Sequence, residues 1–309
     1  MLESHASEQA AKQLNTVFDF VRWLVSQFNQ SEVYFGHGTD NPWDEAYSLV
    51  YQALNLAVDP NDKIDQCQLT DDEKQRILAW AEQRINHQVP LAYLTNTAWF
   101  CGKAYYVDER VLVPRSPIGE LIQNQFAGIV EQQPNRILDL CTGSGCIAIA
   151  CAYAFSEAEV DAVDISVEAL EVCDNNIEHH AMWHNVTPIQ SDVFSGVQGQ
   201  KYDLIVSNPP YVDAEDMADL PSEFHHEPEL GLAAGVDGLS IVNTILAEAA
   251  DHLTENGVLI VEVGNSLVHM EQAYPGVEFD WIEFNNGGIG VFKFTRSQLI
   301  QYRDAFVKE

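Results

Sequence analysis

The chain has 309 residues, enough for about two domains and a substantial core. Apolar residues make up 46% of the sequence and charged residues 20%, which excludes a disordered or fibrous protein. The 47 acidic residues outnumber the 15 lysines and arginines, so the net charge is −32 and direct binding of free DNA is disfavoured. This charge favours a basic protein partner, although a solvated acidic surface explains the same composition.

The sequence also constrains location and metal content. It has no run of about 18 consecutive apolar residues, and residues 1–13 lack the apolar core of a secretory signal. We therefore expect no membrane contact and a cytoplasmic location. The six cysteines form no C-x-x-C pair and no histidines stand at zinc spacing, so we expect reduced thiols and no metal site.

Residues 1–95 have helical periodicity and are predicted to form a helical domain. Residues 11–28 place apolar side chains three and four positions apart, which predicts one helix. An asparagine cap followed by proline begins a second predicted helix over 41–56. The capping box Thr-Asp-Asp-Glu begins a third over 70–87.

The periodicity changes in residues 96–133. Two extended runs flank Gly102 and predict a β-hairpin. The two prolines within 113–117 interrupt regular structure and predict a hinge between domains.

From residue 134 to 309, apolar strands alternate with helices, as in a parallel α/β sheet. The Asn-Asn-Gly-Gly turn at 285–288 joins the last two strands and makes one of them antiparallel. The predicted fold class is therefore α/β, a seven-stranded doubly wound Rossmann-like sheet. Strands are predicted at 136–140, 159–165, 186–191, 202–207, 257–263, 278–284 and 289–295, and helices at 145–155, 167–181, 238–253 and 265–273.

A glycine-rich loop follows the first strand of the sheet. Gly143 and Gly145 permit a tight turn that brings backbone N–H groups to a ligand at the start of the next helix. Asp139 lies at the carboxyl end of the strand, where we expect it to pair with a cationic ligand group such as an ammonium. The loop also matches the dinucleotide fingerprint G-x-G-x-x-A. The other loop residues expected to contact the ligand are Cys141, Thr142 and Ser144.

Acidic residues end the next two strands. Asp164, followed by Ile165, stands where an acid hydrogen-bonds ribose hydroxyls, which suits NAD and S-adenosylmethionine equally. Asp192 ends the third strand, where a carboxylate accepts from an adenine amino group with Val193 beside the ring.

The fourth strand ends in Asn-Pro-Pro-Tyr. The two prolines supply no N–H donors and fix the backbone, so the side-chain oxygen of Asn208 and the carbonyl of Pro209 are held as two acceptors. They suit a planar –NH₂ group, with Tyr211 packed against its face. A dehydrogenase has no need of this arrangement. We assign catalytic roles to Asn208, Pro209, Pro210 and Tyr211, and place Asn208 beside the cofactor as well.

In this order and spacing, the motifs resemble class I S-adenosylmethionine-dependent methyltransferases that act on amide or exocyclic nitrogens. The helical N-terminal region, Pro90–Leu94, the hairpin at Trp99–Gly102 and Val113–Arg115 extend the likeness over nearly the whole chain, to the HemK/PrmB family of protein-glutamine methyltransferases. Within the family, the chain is most similar to the branch that acts on large-subunit ribosomal protein number three. The segments on which this rests are Tyr34–Glu45, Pro114–Glu120 and Asn208–Gly238.

The resemblance implies S-adenosylmethionine as cofactor and a glutamine of a basic large-subunit ribosomal protein as substrate, with RNA contact only if that protein is methylated within a particle. It also implies that the helical domain recognises the substrate. Phe100 and Arg115 are placed with the cofactor-binding residues because the hairpin and hinge would close over the site, although core packing and an ion pair explain them too.

The sequence departs from the family at two places. Ser116-Pro-Ile-Gly-Glu120 stands where release-factor methyltransferases typically carry Pro-Glu-Thr-Glu, which favours the ribosomal substrate. Cys141 replaces the commoner glycine at the start of the loop, a change that we expect cofactor binding to survive.

Other functions stay open at this point. They are a release-factor glutamine methyltransferase, a nucleic-acid adenine or guanine methyltransferase acting on a flipped base, an NAD-dependent oxidoreductase, and a module that binds the cofactor without catalysis. Residues 213–238 form a long segment with eight acidic residues, which suits a basic protein substrate, although solvation explains them equally.

Overall fold

The computed structural model describes residues 2–307, which divide into two compact units. Among the described residues, one unit comprises 2–98 and Pro221–His226, and the other comprises Trp99–Leu220 and 227–307. The three-part division at residues 95 and 133 stays a prediction about domains. The sequence does not predict that residues 221–226 pack with the helices of the first unit.

The first unit is helical, as predicted, but the single helix predicted over 11–28 is wrong. The chain breaks between two helices because Thr16 caps the second: its side chain accepts from the backbone N–H of Asp19, and the Asp19 carboxylate accepts from the N–H of Thr16. The helices of this unit are α1 (Ser4–Gln13), α2 (Val17–Phe28), α3 (Pro42–Ala53), α4 (Asp62–Asp65), α5 (Asp71–Asn86) and α6 (Leu91–Thr95).

The core of the helical unit lies between α2, α3 and α5. Phe20, Leu49 and Ile77 are among its fully buried side chains. Arg84 of α5 is buried as well, and its guanidinium donates to the carboxylates of Glu45 and Glu223. This burial is possible because the charge is met by two acids.

The second unit begins with the predicted hairpin, a two-stranded sheet that is followed by a seven-stranded sheet and its helices. Its elements are β1 (Ala98–Phe100), β2 (Lys103–Tyr105), α7 (Ile118–Gln123), β3 (Arg136–Leu140), α8 (Cys146–Ala154), β4 (Glu159–Asp164), α9 (Val167–His179), β5 (Val186–Gln190), β6 (Tyr202–Ser207), α10 (Ala214–Asp219), α11 (Ser240–Glu248), β7 (Leu253–Glu262), α12 (Leu267–Ala273), β8 (Asp280–Trp281), β9 (Val291–Thr295), α13 (Arg296–Gln301) and α14 (Arg303–Phe306).

The large sheet confirms the predicted fold class. Its strand order is β5-β4-β3-β6-β7-β9-β8, with β3 to β7 parallel and β9 antiparallel to both of its neighbours. Strand β8 is shorter than the predicted 278–284. Beyond it, the N–H of Ile282 still donates to the carbonyl of Val291, and the N–H groups of Asn285 and Asn286 donate to the carboxylate of Glu120.

The topology places the ends of four strands along one edge. Strand β3 pairs in parallel with β4 on one side and with β6 on the other, so the chain winds outward in both directions from this point. In open α/β sheets, ligands bind at the carboxyl ends of the strands at such a switch point. No helix within residues 2–307 is long and apolar enough to cross a membrane.

Residues 113–117, predicted to be a hinge between domains, lie within the second unit on both flanks. They are fixed there by side chains of the same unit: the N–H of Val113 and the guanidinium of Arg115 donate to Glu227, and Ser116 donates to Glu262. The boundary between the two compact units therefore falls at residue 98 and not at this segment, and a hinge here stays a prediction.

Candidate active site

A cleft of about 430 Å³ opens at the carboxyl ends of β3, β4, β5 and β6. The structure brings most of the predicted site residues to its walls, namely Arg115, Cys141, Thr142, Gly143, Ser144, Asp164, Ile165, Asp192, Val193, Asn208 and Pro210. Phe100, Asp139, Gly145, Pro209 and Tyr211 are not among the cleft-lining residues.

The two glycines of the loop serve different purposes. Gly143 has a φ of +54°, and a Cβ built on it meets no atom within 4 Å, so this residue presents bare backbone to the cleft. At Gly145 a Cβ would lie 2.6 Å from Sγ of Cys173, so its absence lets α8 pack closely on α9. Cys141 also has a left-handed φ of +59°, which explains why glycine is commoner there. Burial raises the pKa of its thiol, which keeps it protonated.

Asp139 lies behind the glycine loop, with 1% of its surface exposed. One carboxylate oxygen accepts from Oγ1 of Thr142 at 2.5 Å and from the N–H of Ala148 at 3.0 Å. The other oxygen has no partner among residues 2–307. Burial raises the pKa of Asp139 to about 7. The first oxygen fixes the loop to α8, and Asp139 is not among the cleft-lining residues, so its pairing with a ligand ammonium stays a prediction.

Asp164 lines the cleft where β4 ends. Its two oxygens accept from the backbone N–H groups of Gly143 and Ser166, each at 2.9 Å. Burial raises its pKa. This carboxylate thus holds the glycine loop in place while one side of it faces the cleft, where ribose hydroxyls can donate.

Asp192 and Val193 form a tight turn after β5. Val193 has a φ of +46°, which is strained for a β-branched residue. Ser191, a residue that sequence reasoning missed, holds the turn: its hydroxyl donates to the carbonyl of Val193 at 2.8 Å and accepts from the N–H of Gly196 at 2.7 Å. A stabilised strained turn at a cleft is typical of a binding site.

The Asn-Pro-Pro-Tyr turn is only partly as predicted. The side-chain oxygen of Asn208 is buried at the cleft wall and has no hydrogen-bond partner within the described chain. Tyr211, expected against the face of a bound –NH₂ group, points elsewhere. Its hydroxyl donates to Oε1 of Glu262 at 3.1 Å, because that buried carboxylate needs donors. Burial raises the pKa of Tyr211.

The hairpin and the proline segment contribute less than expected. Phe100 is a core residue with 6% exposure, and its ring lies 6.4 Å from that of Tyr105, so packing removes it from the cleft. Arg115 does line the cleft, where both terminal nitrogens donate to the Glu227 carboxylate, at 2.6 and 2.7 Å. Three of the eight acids in 213–238 are buried and do not face solvent, namely Asp213, Glu223 and Glu227.

Glu262 is the main residue that sequence reasoning missed. It ends β7 at the same edge as the other strand-end acids, so the rule that selected Asp164 and Asp192 could have found it. One oxygen accepts from Ser116 at 2.5 Å, and burial raises its pKa to about 7. Pro228, Leu230 and Ala233 also line the cleft, for which the sequence offers no signal beyond a long connecting segment.

Metal ligation gains no support from the side chains. Within residues 2–307, no group of three or more histidine, cysteine, aspartate and glutamate residues is arranged to hold a metal ion.

Comparisons with known proteins identified one family match and several similar proteins. Residues 123–229 match the family described as methyltransferase small domain. A solved methyltransferase structure from Pyrococcus furiosus is 21% identical, covers 62% of this chain and 88% of its own, and has a TM-score of 0.45.

Two relatives are similar over nearly their whole length. The ribosomal protein uL3 glutamine methyltransferase of Francisella tularensis is 44% identical over 310 residues, covering 100% of this chain and 99% of the relative. That of Neisseria gonorrhoeae is 46% identical over 294 residues, covering 94% and 98%. The chain belongs to the family of ribosomal protein uL3 glutamine methyltransferases.

Proposed function

We propose that this protein transfers a methyl group from S-adenosylmethionine to the side-chain amide nitrogen of a glutamine in ribosomal protein uL3. One observation carries the proposal: the side-chain oxygen of Asn208, a residue of the cleft wall, is buried and has no donor in the described chain. Leaving a buried acceptor unpaired costs about 1–3 kcal/mol. A ligand with an N–H group, such as a carboxamide, supplies the missing donor.

The reaction needs help because an amide nitrogen is a weak nucleophile, its lone pair being delocalised into the carbonyl. The side-chain oxygen of Asn208 and the carbonyl oxygen of Pro209 take the two amide hydrogens. They thereby orient the nitrogen and stabilise the positive charge that develops on it, and one of the two hydrogens leaves to solvent as a proton to give the N-methyl amide. S-adenosylmethionine, when bound, supplies a methyl group on a positively charged sulfur.

The chemistry of the cleft walls fits this cofactor. Asp164 accepts from the ribose hydroxyls and Asp192 accepts from the adenine amino group, with Val193 and Ile165 against the ring. The bare backbone at Gly143 leaves room for close approach. Asp139 contributes from behind, by fixing Thr142.

The charge of the chain supports a basic protein substrate. A net charge of −32 attracts a lysine- and arginine-rich partner and repels free nucleic acid. We assign substrate recognition to the helical unit, and expect RNA contact only if uL3 is modified within an assembling particle.

The test is methylation with labelled S-adenosylmethionine of four substrates in parallel: free uL3, large ribosomal subunits lacking the modification, a release factor and ribosomal RNA. Mass spectrometry of peptides should place one methyl group on one glutamine of uL3. A uL3 variant with asparagine at that glutamine is the matched control, because it keeps the amide but withdraws it by one methylene. Label on the release factor or on RNA would contradict the proposal, and titration with NAD should show no binding.

A further inference from the structure

One short segment holds Tyr211 of the Asn-Pro-Pro-Tyr turn from three sides. We call this segment, Glu262–Ser266, the Tyr211 cradle. Glu262 accepts from the tyrosine hydroxyl at 3.1 Å, and Oγ of Ser266 donates to the tyrosine carbonyl at 2.7 Å. The ring lies so close to Gly264 that a Cβ there would be 2.6 Å from it. Both ends of the residue and its ring are therefore fixed by the chain that follows β7.

Glu262 is the most constrained member of the cradle. It is 5% exposed, and its second oxygen accepts from Ser116, whose hydroxyl oxygen in turn accepts from the N–H of Ile118 at 3.2 Å. A buried carboxylate is costly unless donors surround it. The two hydroxyls meet this need, and they tie the end of β7 both to the Asn-Pro-Pro-Tyr turn and to the Ser116 wall of the cleft.

The turn transmits position along the backbone. Asn208 and Tyr211 are separated only by Pro209 and Pro210, whose rings fix φ near −65°. Because these two φ angles cannot adjust, a displacement of Tyr211 also displaces Asn208. Glu262 is not a cleft-lining residue, so any influence it has on the bound amide passes through one of its two hydrogen-bond partners, Tyr211 or the cleft-lining Ser116. Only Tyr211 is joined to Asn208 by the short proline segment.

We propose that Glu262 is a positioning residue for methyl transfer, which places the acceptor oxygen of Asn208 by anchoring Tyr211. This inference rests on the proposed function of the site. A misplacement of about 1 Å at a reacting group costs on the order of 10²-fold in rate. Loss of the anchor therefore lowers kcat, while the affinity for S-adenosylmethionine stays close to that of the wild type.

The first experiment compares Glu262→Ala with Glu262→Gln. The alanine variant removes both acceptors and should lower kcat about 10²-fold with little change in KM for S-adenosylmethionine. The glutamine variant keeps the shape and one acceptor oxygen, and should recover most of the activity. Glu255→Ala, on the same strand but exposed, is the matched control and should behave as wild type. Wild-type kcat in Glu262→Ala, or a glutamine variant as impaired as the alanine variant, would overturn the proposal.

A double-mutant cycle tests whether Glu262 acts through Tyr211. Tyr211→Phe removes only the hydroxyl, so Glu262→Ala should cost much less in that background than in the wild type. An equal cost in both backgrounds would refute the anchoring role. If Glu262→Ala does not fold, the same cycle is run with Glu262→Met, which also removes both acceptor oxygens but fills the volume of the side chain, and an equal cost in both backgrounds is equally decisive.

A measurement without turnover separates this inference from the proposed function. Hydrogen–deuterium exchange reports on the N–H of Val212, which donates to the carbonyl of Leu232 at 2.8 Å directly after the turn. Exchange should be faster in Tyr211→Phe than in wild type, and unchanged exchange would overturn the anchoring role. If the wild type fails to methylate uL3, the proposed function is contradicted. The kcat values of the Glu262 variants are then compared on the substrate that does receive the labelled methyl group.

Discussion

Arg84 and Glu223 stand 139 positions apart in the sequence, yet Nη1 of the arginine lies 2.9 Å from Oε1 of the glutamate. Their side chains are 1% and 0% exposed. The same guanidinium donates to Glu45 and, at 2.7 Å, to the carbonyl of Tyr34. One buried cation thus joins three segments of the helical unit.

Replacing Arg84 by methionine should destabilise the protein by about 3–5 kcal/mol, because it leaves two buried carboxylates without their cation. Urea unfolding followed by tryptophan fluorescence measures the change. Arg22→Met, on the exposed face of α2, is the control and should stay within about 0.5 kcal/mol of wild type. An Arg84→Met protein as stable as the control would contradict the structural role.

Replacing Asn208 by alanine should lower kcat by about 10²–10³-fold, since it removes one of the two acceptors for the substrate amide. Binding of S-adenosylhomocysteine, measured by calorimetry, should change little. Asn256→Ala, exposed on β7, serves as the matched variant and should keep wild-type activity. A collapse of cofactor affinity in Asn208→Ala would show that Asn208 holds the cofactor rather than the amide.

Asp164→Ala should weaken cofactor binding. A hydrogen bond to a charged group contributes about 1.5–3 kcal/mol, so the Kd for S-adenosylhomocysteine should rise by roughly 10- to 150-fold. Asp174→Ala removes an exposed acid of the neighbouring α9 and should leave the Kd unchanged. Unaltered affinity in Asp164→Ala would remove the ribose-binding role.

The stability of the ligand-free protein should depend on Asp139. Burial raises its folded pKa from 3.8 to about 7. Between these values the folded state binds more protons than the unfolded state, so this contribution is present at low pH and is lost as the pH rises through 7. Asp139→Asn cannot ionise and should therefore gain stability relative to wild type between pH 5 and pH 8, by roughly 2.6 kcal/mol.

Thermal unfolding at both pH values measures this gain. Asp174→Asn, on the exposed face of α9, should shift the unfolding temperature equally at the two pH values. Burial also raises the pKa of Glu262, which makes the stability of both wild type and Asp139→Asn depend on pH. This effect is the same in the two proteins and therefore cancels when their stabilities are compared. A difference between Asp139→Asn and wild type that is independent of pH would show that Asp139 is ionised throughout.

The sequence pattern of short segments is enough to predict most of the fold. At one position, the start of α2, the apolar periodicity hid a helix-capping pair. The alternation of strands and helices from residue 134, together with the Asn-Asn-Gly-Gly turn, is enough to predict the sheet and its antiparallel strand. The break before α2 was missed because Leu14, Val17 and Phe18 continue the apolar spacing across it. The capping pair of Thr16 and Asp19 was the contrary local evidence.

The site was predictable where it depends on strand ends and unpredictable where it depends on distant partners. Asp164, Asp192 and Asn208 converge because parallel strands finish at one edge of a sheet. No local pattern, in contrast, tells that Arg115 meets a glutamate 112 positions away. The type of a residue also does not reveal which way its side chain points. Phe100 and Tyr211 are predicted to line the cleft, but Phe100 packs in the core and the hydroxyl of Tyr211 binds Glu262.

The helical unit is discontinuous in the sequence, and this affects its biosynthesis. During translation Arg84 emerges long before Glu223, and β3 to β6 are synthesised in between. N-terminal domains generally fold first during synthesis. Here the N-terminal helices cannot form the Arg84–Glu223 ion pair until residue 223 has been synthesised. For the same reason, a recombinant fragment ending at Ala98 leaves the buried guanidinium with one carboxylate, and the excised piece is a poor substitute for the unit in the full-length protein.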